Sequence, residues 1–100
     1  MQYQLVLQCS TVDVTERQFD ELLDFEMKLD TTSDLYIVDG NDIGSGEFNI
    51  FILTNAPEAA FAAIRGKIPD INKWRVAYRR RDGEDYTVLY PHGLTEFTIL

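Results

Sequence analysis

The chain contains one cysteine, Cys9, and one histidine, His92, among its 100 residues. A single cysteine cannot form an internal disulfide, and neither residue has the Cys or His neighbours that a zinc site requires. We therefore expect Cys9 to be a buried packing residue in a reducing compartment. His92 stands in a Pro-His-Gly sequence with no nucleophile motif nearby, which indicates a turn and not a catalytic base.

Long hydrophobic runs are also missing. No stretch approaches the roughly 20 apolar residues of a membrane-spanning helix. Residues 1–8 lack the basic residues and the apolar stretch that a signal peptide requires. The sequence therefore predicts a cytoplasmic protein that does not bind membranes.

Positive charge is scarce, with 9 Lys and Arg against 17 Asp and Glu and a formal net charge of -8. Residues 1–50 hold 11 acidic and 2 basic residues (net -9), whereas residues 51–100 hold 6 and 7 (net +1). This balance argues against nucleic-acid binding, which relies on Lys and Arg against phosphate. It permits a basic protein as partner.

The patterns that are present predict one globular domain over residues 1–100, with 45% hydrophobic residues. Alternating apolar residues and glutamines predict a strand over residues 3–9. Thr15 and Gln18 have the spacing of a capping box, which predicts a helix to about residue 30. Glu26 falls on the apolar side of this helix, so either the helix frays there or the carboxylate is paired. The predicted apolar stripe comprises Phe19, Leu22, Leu23 and Leu29.

The remaining patterns predict strands over residues 35–38, 48–54, 74–79 and 86–90, and a second helix that opens around Pro57 and ends near Gly66. Phe97 and Ile99 form either a short edge strand or a packed tail. The order strand-helix-strand-strand-helix-strand, with an extra C-terminal strand, predicts an α+β, ferredoxin-like sandwich. Both helices then cover one face of a mostly antiparallel sheet. We expect the other face to expose Gln2, Gln4 and Gln8 beside Arg75 and Arg79.

The segment between the predicted second and third strands is the first candidate binding site. It is a hairpin connection of seven residues, 40–46, which is longer than the ~2 to 5 residues usual in hairpins. A strand follows it instead of a helix, which excludes a phosphate-binding loop. Ile43 and Ile50 occupy positions where an EF-hand needs oxygen ligands, which excludes that calcium site. It is therefore either a recognition loop or only a turn, and its candidate residues are Asp39, Gly40, Asn41, Asp42, Gly44, Ser45, Gly46, Glu47 and Asn49.

The exposed sheet face is the second candidate site, through Arg75 and Arg79. With Arg80 and Arg81 they form the main basic cluster of the sequence. These side chains could pair with the acidic half of the same chain or of a second copy, or with the carboxylate of a ligand. The alternative is edge-strand charge that discourages aggregation.

Residues 38–52, 54–58 and 86–91 together resemble a group of small acidic bacterial proteins of unknown function. The shared motif is D-G-x-D-x-G-S-G-E-x-N-I-F. The resemblance implies a bacterial origin and a single-domain build, without catalytic residues. It also implies that the residues of this motif are the best binding candidates.

The sequence contains no recognisable catalytic constellation, and we expect neither a metal nor a cofactor. The favoured interpretation is a non-enzymatic interaction module of the inhibitor or immunity type, which binds a basic protein or its own copy. The alternative is a small-ligand regulatory domain of the ACT-like type. Its pocket would combine residues 40–46 with the arginine face.

Overall fold

The computed structural model describes residues 1–29 and 33–99. Its elements are β1 (Tyr3–Ser10), α1 (Glu16–Lys28), β2 (Tyr36–Gly44), β3 (Glu47–Thr54), α2 (Pro57–Arg65), β4 (Trp74–Arg80) and β5 (Thr87–Tyr90). A short 3-10 turn, Ile71–Lys73, precedes β4. Within the described ranges, no helix is both long enough and apolar enough to cross a membrane.

The five strands form one sheet in the order β2-β3-β1-β4-β5. Each neighbouring pair is antiparallel. The predicted α+β class is therefore confirmed, with two helices and a five-stranded antiparallel sheet. The arrangement is compatible with a ferredoxin-like sandwich.

Helix α1 begins with the predicted capping box. The Thr15 hydroxyl accepts from the Gln18 backbone N–H at 3.1 Å, and the Gln18 side chain accepts from the Thr15 N–H at 2.9 Å. The helix does not fray at Glu26, whose Oε1 accepts a hydrogen bond from Asn41 Nδ2 at 2.6 Å. The predicted apolar stripe of this helix omitted Phe25, which lies within α1 and is 6% exposed. The predicted end near residue 30 lies outside the described residues.

The main core lies between the helices and one face of the sheet. Alternate residues of the three inner strands point toward it, because successive side chains of a strand face opposite sides. The Trp74 ring packs in this core, with its centroid 5.6 Å from that of Phe25 and 6.5 Å from that of Phe48. The buried members from the three inner strands are Leu5, Leu7, Cys9, Phe48, Ile50, Ile52, Trp74 and Val76.

The second face of the sheet is covered by the segment after β5, which we call the tail (residues 94–99). Phe97 is 7% exposed and packs in a separate cluster with Val6 and Ala77. The tail is therefore a packed segment and not a strand. The expectation that this face is open is wrong at its centre, because Gln8 is completely buried.

Candidate functional site

The segment from Asp39 to Glu47 is mostly strand, which corrects the predicted loop. Strand β2 continues to Gly44 and β3 begins at Glu47, so the connection has two residues and not seven. Ser45 and Gly46 have φ values of 52° and 81°. Two positive values are typical of the type I′ turn that suits the twist of a hairpin.

The error came from glycine and aspartate residues that predict turns in isolation. Gly40, with φ of 142°, lies where the pairing of β2 with β3 shifts register between Val38 and Gly40. A bulge of this kind absorbs an extra residue, here Asp39, and lets the strand continue. The polar residues that predicted a loop therefore lie along the outer strand of the sheet.

The structure divides the candidate loop residues into two groups. The first group lies at the outer edge and the turn, where Asp39, Asn41, Asp42, Gly44 and Ser45 are exposed and Gly40 and Gly46 are half-buried. In the second group, Glu47 and Asn49 are buried on the face that the tail covers. The nine candidates therefore do not form one surface.

A buried polar cluster joins the second group to the tail. Gln8 Nε2 lies 3.0 Å from Asn49 Oδ1, 3.3 Å from Glu47 Oε1 and 2.9 Å from the Thr98 carbonyl oxygen. Arg75 Nη2 lies 3.5 Å from Glu47 Oε2. Gln8 Oε1 is buried without a hydrogen-bond partner among the described residues. These contacts tie three strands and the tail together.

The arginines of the second candidate site also make contacts within the chain. Arg79 Nε donates to Gln4 Oε1 at 3.1 Å. Its Nη1 lies within 3.2 Å of the carbonyl oxygens of Arg80, Arg81 and Gly83. Arg79 thereby supports the turn between β4 and β5. Arg75 keeps a 46% exposed side chain beside Glu47.

In residues 1–29 and 33–50, most acidic side chains are in no ion pair. In the described part of the chain, Arg75 with Glu47 is the only ion pair that joins the two halves of the sequence. The helix α1 pairs, Arg17 with Glu21 and Lys28 with Asp24, are local and exposed. The exposed acids at the β2 edge, Asp39 and Asp42, are in none of these pairs.

Sequence reasoning missed a cavity of about 490 Å³ at the end of β1. Residues before α1, on α1 and before β4 form its walls, among them Asp13, Leu22 and Asp70. These segments are far apart in the sequence, so no local pattern marks the site. The cavity adjoins the hairpin turn, since the Thr11 N–H donates to the Gly46 carbonyl oxygen at 2.8 Å.

The single cysteine and the single histidine differ in exposure. Cys9 is 4% exposed, and burial raises the pKa of its thiol to about 11. His92 is exposed in the turn that follows β5. Residues 1–29 and 33–99 contain no group of three or more His, Cys, Asp or Glu side chains placed to hold a metal ion.

Comparisons of the chain with protein-family models, with curated proteins and with solved structures find no match. The resemblance of the Asp39–Glu47 motif to small acidic bacterial proteins therefore stays a prediction.

Proposed function

We propose that this protein is a non-enzymatic cytoplasmic interaction module that binds a basic protein partner through the acidic surface of α1 and β2. The observation that carries the proposal is the charge that the fold leaves unpaired. Residues 1–50 have a net charge of -9, and a single ion pair to the other half of the chain offsets it in the described residues. Complementary charge accelerates association and selects partners.

The position of β2 supports this assignment. It is an outer strand of the sheet, so half of its backbone N–H and C=O groups face away from β3. Ile37 and Ile43 on this strand are 45% and 46% exposed. An extended segment of a partner can add to such an edge through backbone hydrogen bonds, with specificity from the exposed side chains. The acids Asp39 and Asp42 favour a basic segment.

We also propose the finer fold assignment, a ferredoxin-like sandwich with β5 added beside β4. The neighbours β2-β3-β1-β4 and the packing of both helices in one core support it. The free buried Cys9 supports a reducing, cytoplasmic location.

For the ACT-like alternative, the expected pocket between residues 40–46 and the arginine face does not form within a single chain. Residues 40–44 lie on β2 and the arginines on β4, and both β3 and β1 stand between them in the sheet. Strands are about 4.8 Å apart, so the two sites are separated by roughly 14 Å. A pocket that combines them would need a second copy of the chain.

The test is affinity capture from a lysate of the producing cells with three forms of the protein. These are the wild type, an Asp39→Asn/Asp42→Asn variant, and a Glu84→Gln/Asp85→Asn control with the same change of charge near β5. We expect the wild type and the control to retain one stoichiometric basic protein, and the β2 variant to lose it. The affinity of that purified partner should fall with salt.

Two outcomes would overturn the proposal. One is that no stoichiometric partner is retained and sedimentation shows a strict monomer at all concentrations. The other is that both double variants lower the affinity equally, because the effect would then follow net charge and not the β2 edge.

A further inference from the structure

The cavity at the end of β1 has an apolar interior. Its floor is formed by Trp74 and Cys9, which are 2% and 4% exposed, and Val14 and Leu22 form part of its walls. Its volume of about 490 Å³ is within the ~300 to 1,000 Å³ usual for ligand sites. An apolar group that enters it would lose contact with water on several of its sides.

The charged groups around this interior are mainly acidic. Asp13, Glu21 and Asp70 line the cavity, against the single cation Lys73. Lys73 Nζ is 3.6 Å from Asp70 Oδ2, and Arg17 Nε is 3.9 Å from Glu21 Oε1 in an exposed contact. Asp13 is in none of the ion pairs of the described residues. This arrangement repels anions and leaves negative charge above an apolar interior.

The segments that carry these acids are held in place. Trp74 Nε1 donates to the Pro69 carbonyl oxygen at 3.0 Å, which fixes the segment before β4 to the core. Asp13 and Asp70 have φ values of 63° and 49°, in the left-handed region that Asp tolerates better than most residues. A cavity whose walls are fixed before binding loses less entropy when it is filled.

We infer that this cavity receives a lysine side chain of the basic partner. The methylene stem of lysine would lie against Trp74, Val14 and Leu22, while its ammonium group would remain near Asp13, Glu21 and Asp70. This combination of an apolar stem and a cationic head matches both the interior and the charge of the site. The inference rests on the proposed function, since it names an anchor of that partner.

The single tryptophan gives a direct measurement, because Trp74 lies in the floor of the cavity. The probes are a tetrapeptide with one internal lysine, the same peptide with norleucine in place of lysine, and free pentylamine. We expect the lysine peptide to change Trp74 fluorescence in a saturable manner and to bind more tightly than pentylamine. The norleucine peptide should bind at least about threefold more weakly, because it keeps the stem and loses the charge.

The variants are Asp13→Asn and, as a control of equal charge, Asp34→Asn outside the cavity. Asn is chosen because it also tolerates the left-handed backbone of Asp13. We expect Asp13→Asn to weaken the lysine peptide about three- to fivefold, and Asp34→Asn to leave its affinity within about twofold.

Three results would overturn the inference. The first is that no saturable signal appears up to about 10 mM lysine peptide. The second is that the norleucine peptide binds as tightly as the lysine peptide. The third is that pentylamine binds saturably whereas the lysine peptide does not. The last would indicate a site for a free amine. Each differs from failure of the proposed function, because a partner captured through the β2 edge without lysine-peptide binding would leave that function intact.

Discussion

At the scale of single residues, Gly46 is a position where the hairpin turn requires glycine. Its φ is 81°, and a Cβ added there would lie 3.3 Å from Val12 Cγ2. We expect Gly46→Ala to lower the free energy of unfolding by about 1 to 2 kcal/mol, because left-handed backbone disfavours a side chain. Urea denaturation measures this change.

Gly44 provides the matched control, only two residues away. It has no positive φ, and an added Cβ would meet nothing within 4 Å. Gly44→Ala should change the free energy of unfolding by less than about 0.5 kcal/mol. Equal losses for the two variants would contradict the backbone argument.

The thiol of Cys9 predicts a dependence of stability on pH. Burial raises its pKa from the ordinary value of 9.0 to about 11, so the folded protein keeps the proton that the unfolded chain loses. The stabilisation is complete below pH 9 and is lost as pH rises toward 11. We expect the stability difference between the wild type and Cys9→Ala to shrink over this range in urea titrations. A difference that is constant with pH would contradict it.

At the scale of elements, the capping box is a testable start of α1. Thr15→Ala removes the hydroxyl that accepts from the Gln18 N–H, and we expect a loss of about 1 kcal/mol. Thr95→Ala is the control, since Thr95 is exposed and outside any helix. Thermal unfolding followed by circular dichroism should separate the two variants. Equal midpoints would show that the cap does not stabilise the domain.

The turn between β4 and β5 depends on Arg79. Its guanidinium contacts three carbonyl oxygens and Gln4, a geometry that the single ammonium group of lysine cannot reproduce. We expect Arg79→Lys to cost about 1 to 2 kcal/mol in urea denaturation. Arg80→Lys should cost much less, because the contact of the Arg80 side chain with Asp82 is exposed to solvent. The reverse order of these losses would contradict this role.

Most elements could be predicted from the sequence because their signals are local. The alternation over residues 3–9 and the Thr15–Gln18 spacing report a strand and a helix start directly. The outer strand β2 was predicted too short because a bulge at Asp39 and a two-residue turn can contain the same residues as a loop. Pairing with β3 makes this segment a strand with a bulge instead of a loop, and this pairing cannot be predicted from the residues of β2 alone.

At the scale of the whole molecule, the tail packs against the second face of the sheet. Phe97 is buried against Val6 and Ala77, and we expect Phe97→Ala to lower the free energy of unfolding by about 2 to 4 kcal/mol. Hydrogen exchange of the Gln8 side-chain amide, observed by NMR, should also become faster.

Thr98→Ala is the control for this prediction. The Thr98 side chain is exposed, and its carbonyl oxygen can still accept from Gln8 Nε2 after the substitution. A loss below about 0.5 kcal/mol is expected. If Phe97→Ala were equally mild, the tail would not contribute to the core.

The candidate sites were less predictable than the fold because they depend on contacts between distant parts of the chain. Gln8 and Thr98 are 90 residues apart, and their contact closes a face that strand alternation alone predicts to be open. The cavity with Asp13, Leu22 and Asp70 likewise combines three segments. By contrast, the exposed acids of β2 were recognised from the sequence, although the part of the strand that carries them was predicted as a loop.

The way the tail is attached has a mechanical consequence. Strand β1 is held by ladders of backbone hydrogen bonds to both β3 and β4, whereas the tail is held by side-chain packing and the bond from Gln8 to Thr98. A pulling force applied between residues 3 and 99 should therefore detach the tail at low force, before the sheet ruptures. An optical-tweezers trace would then show a short first extension, followed by one large step as the sheet opens.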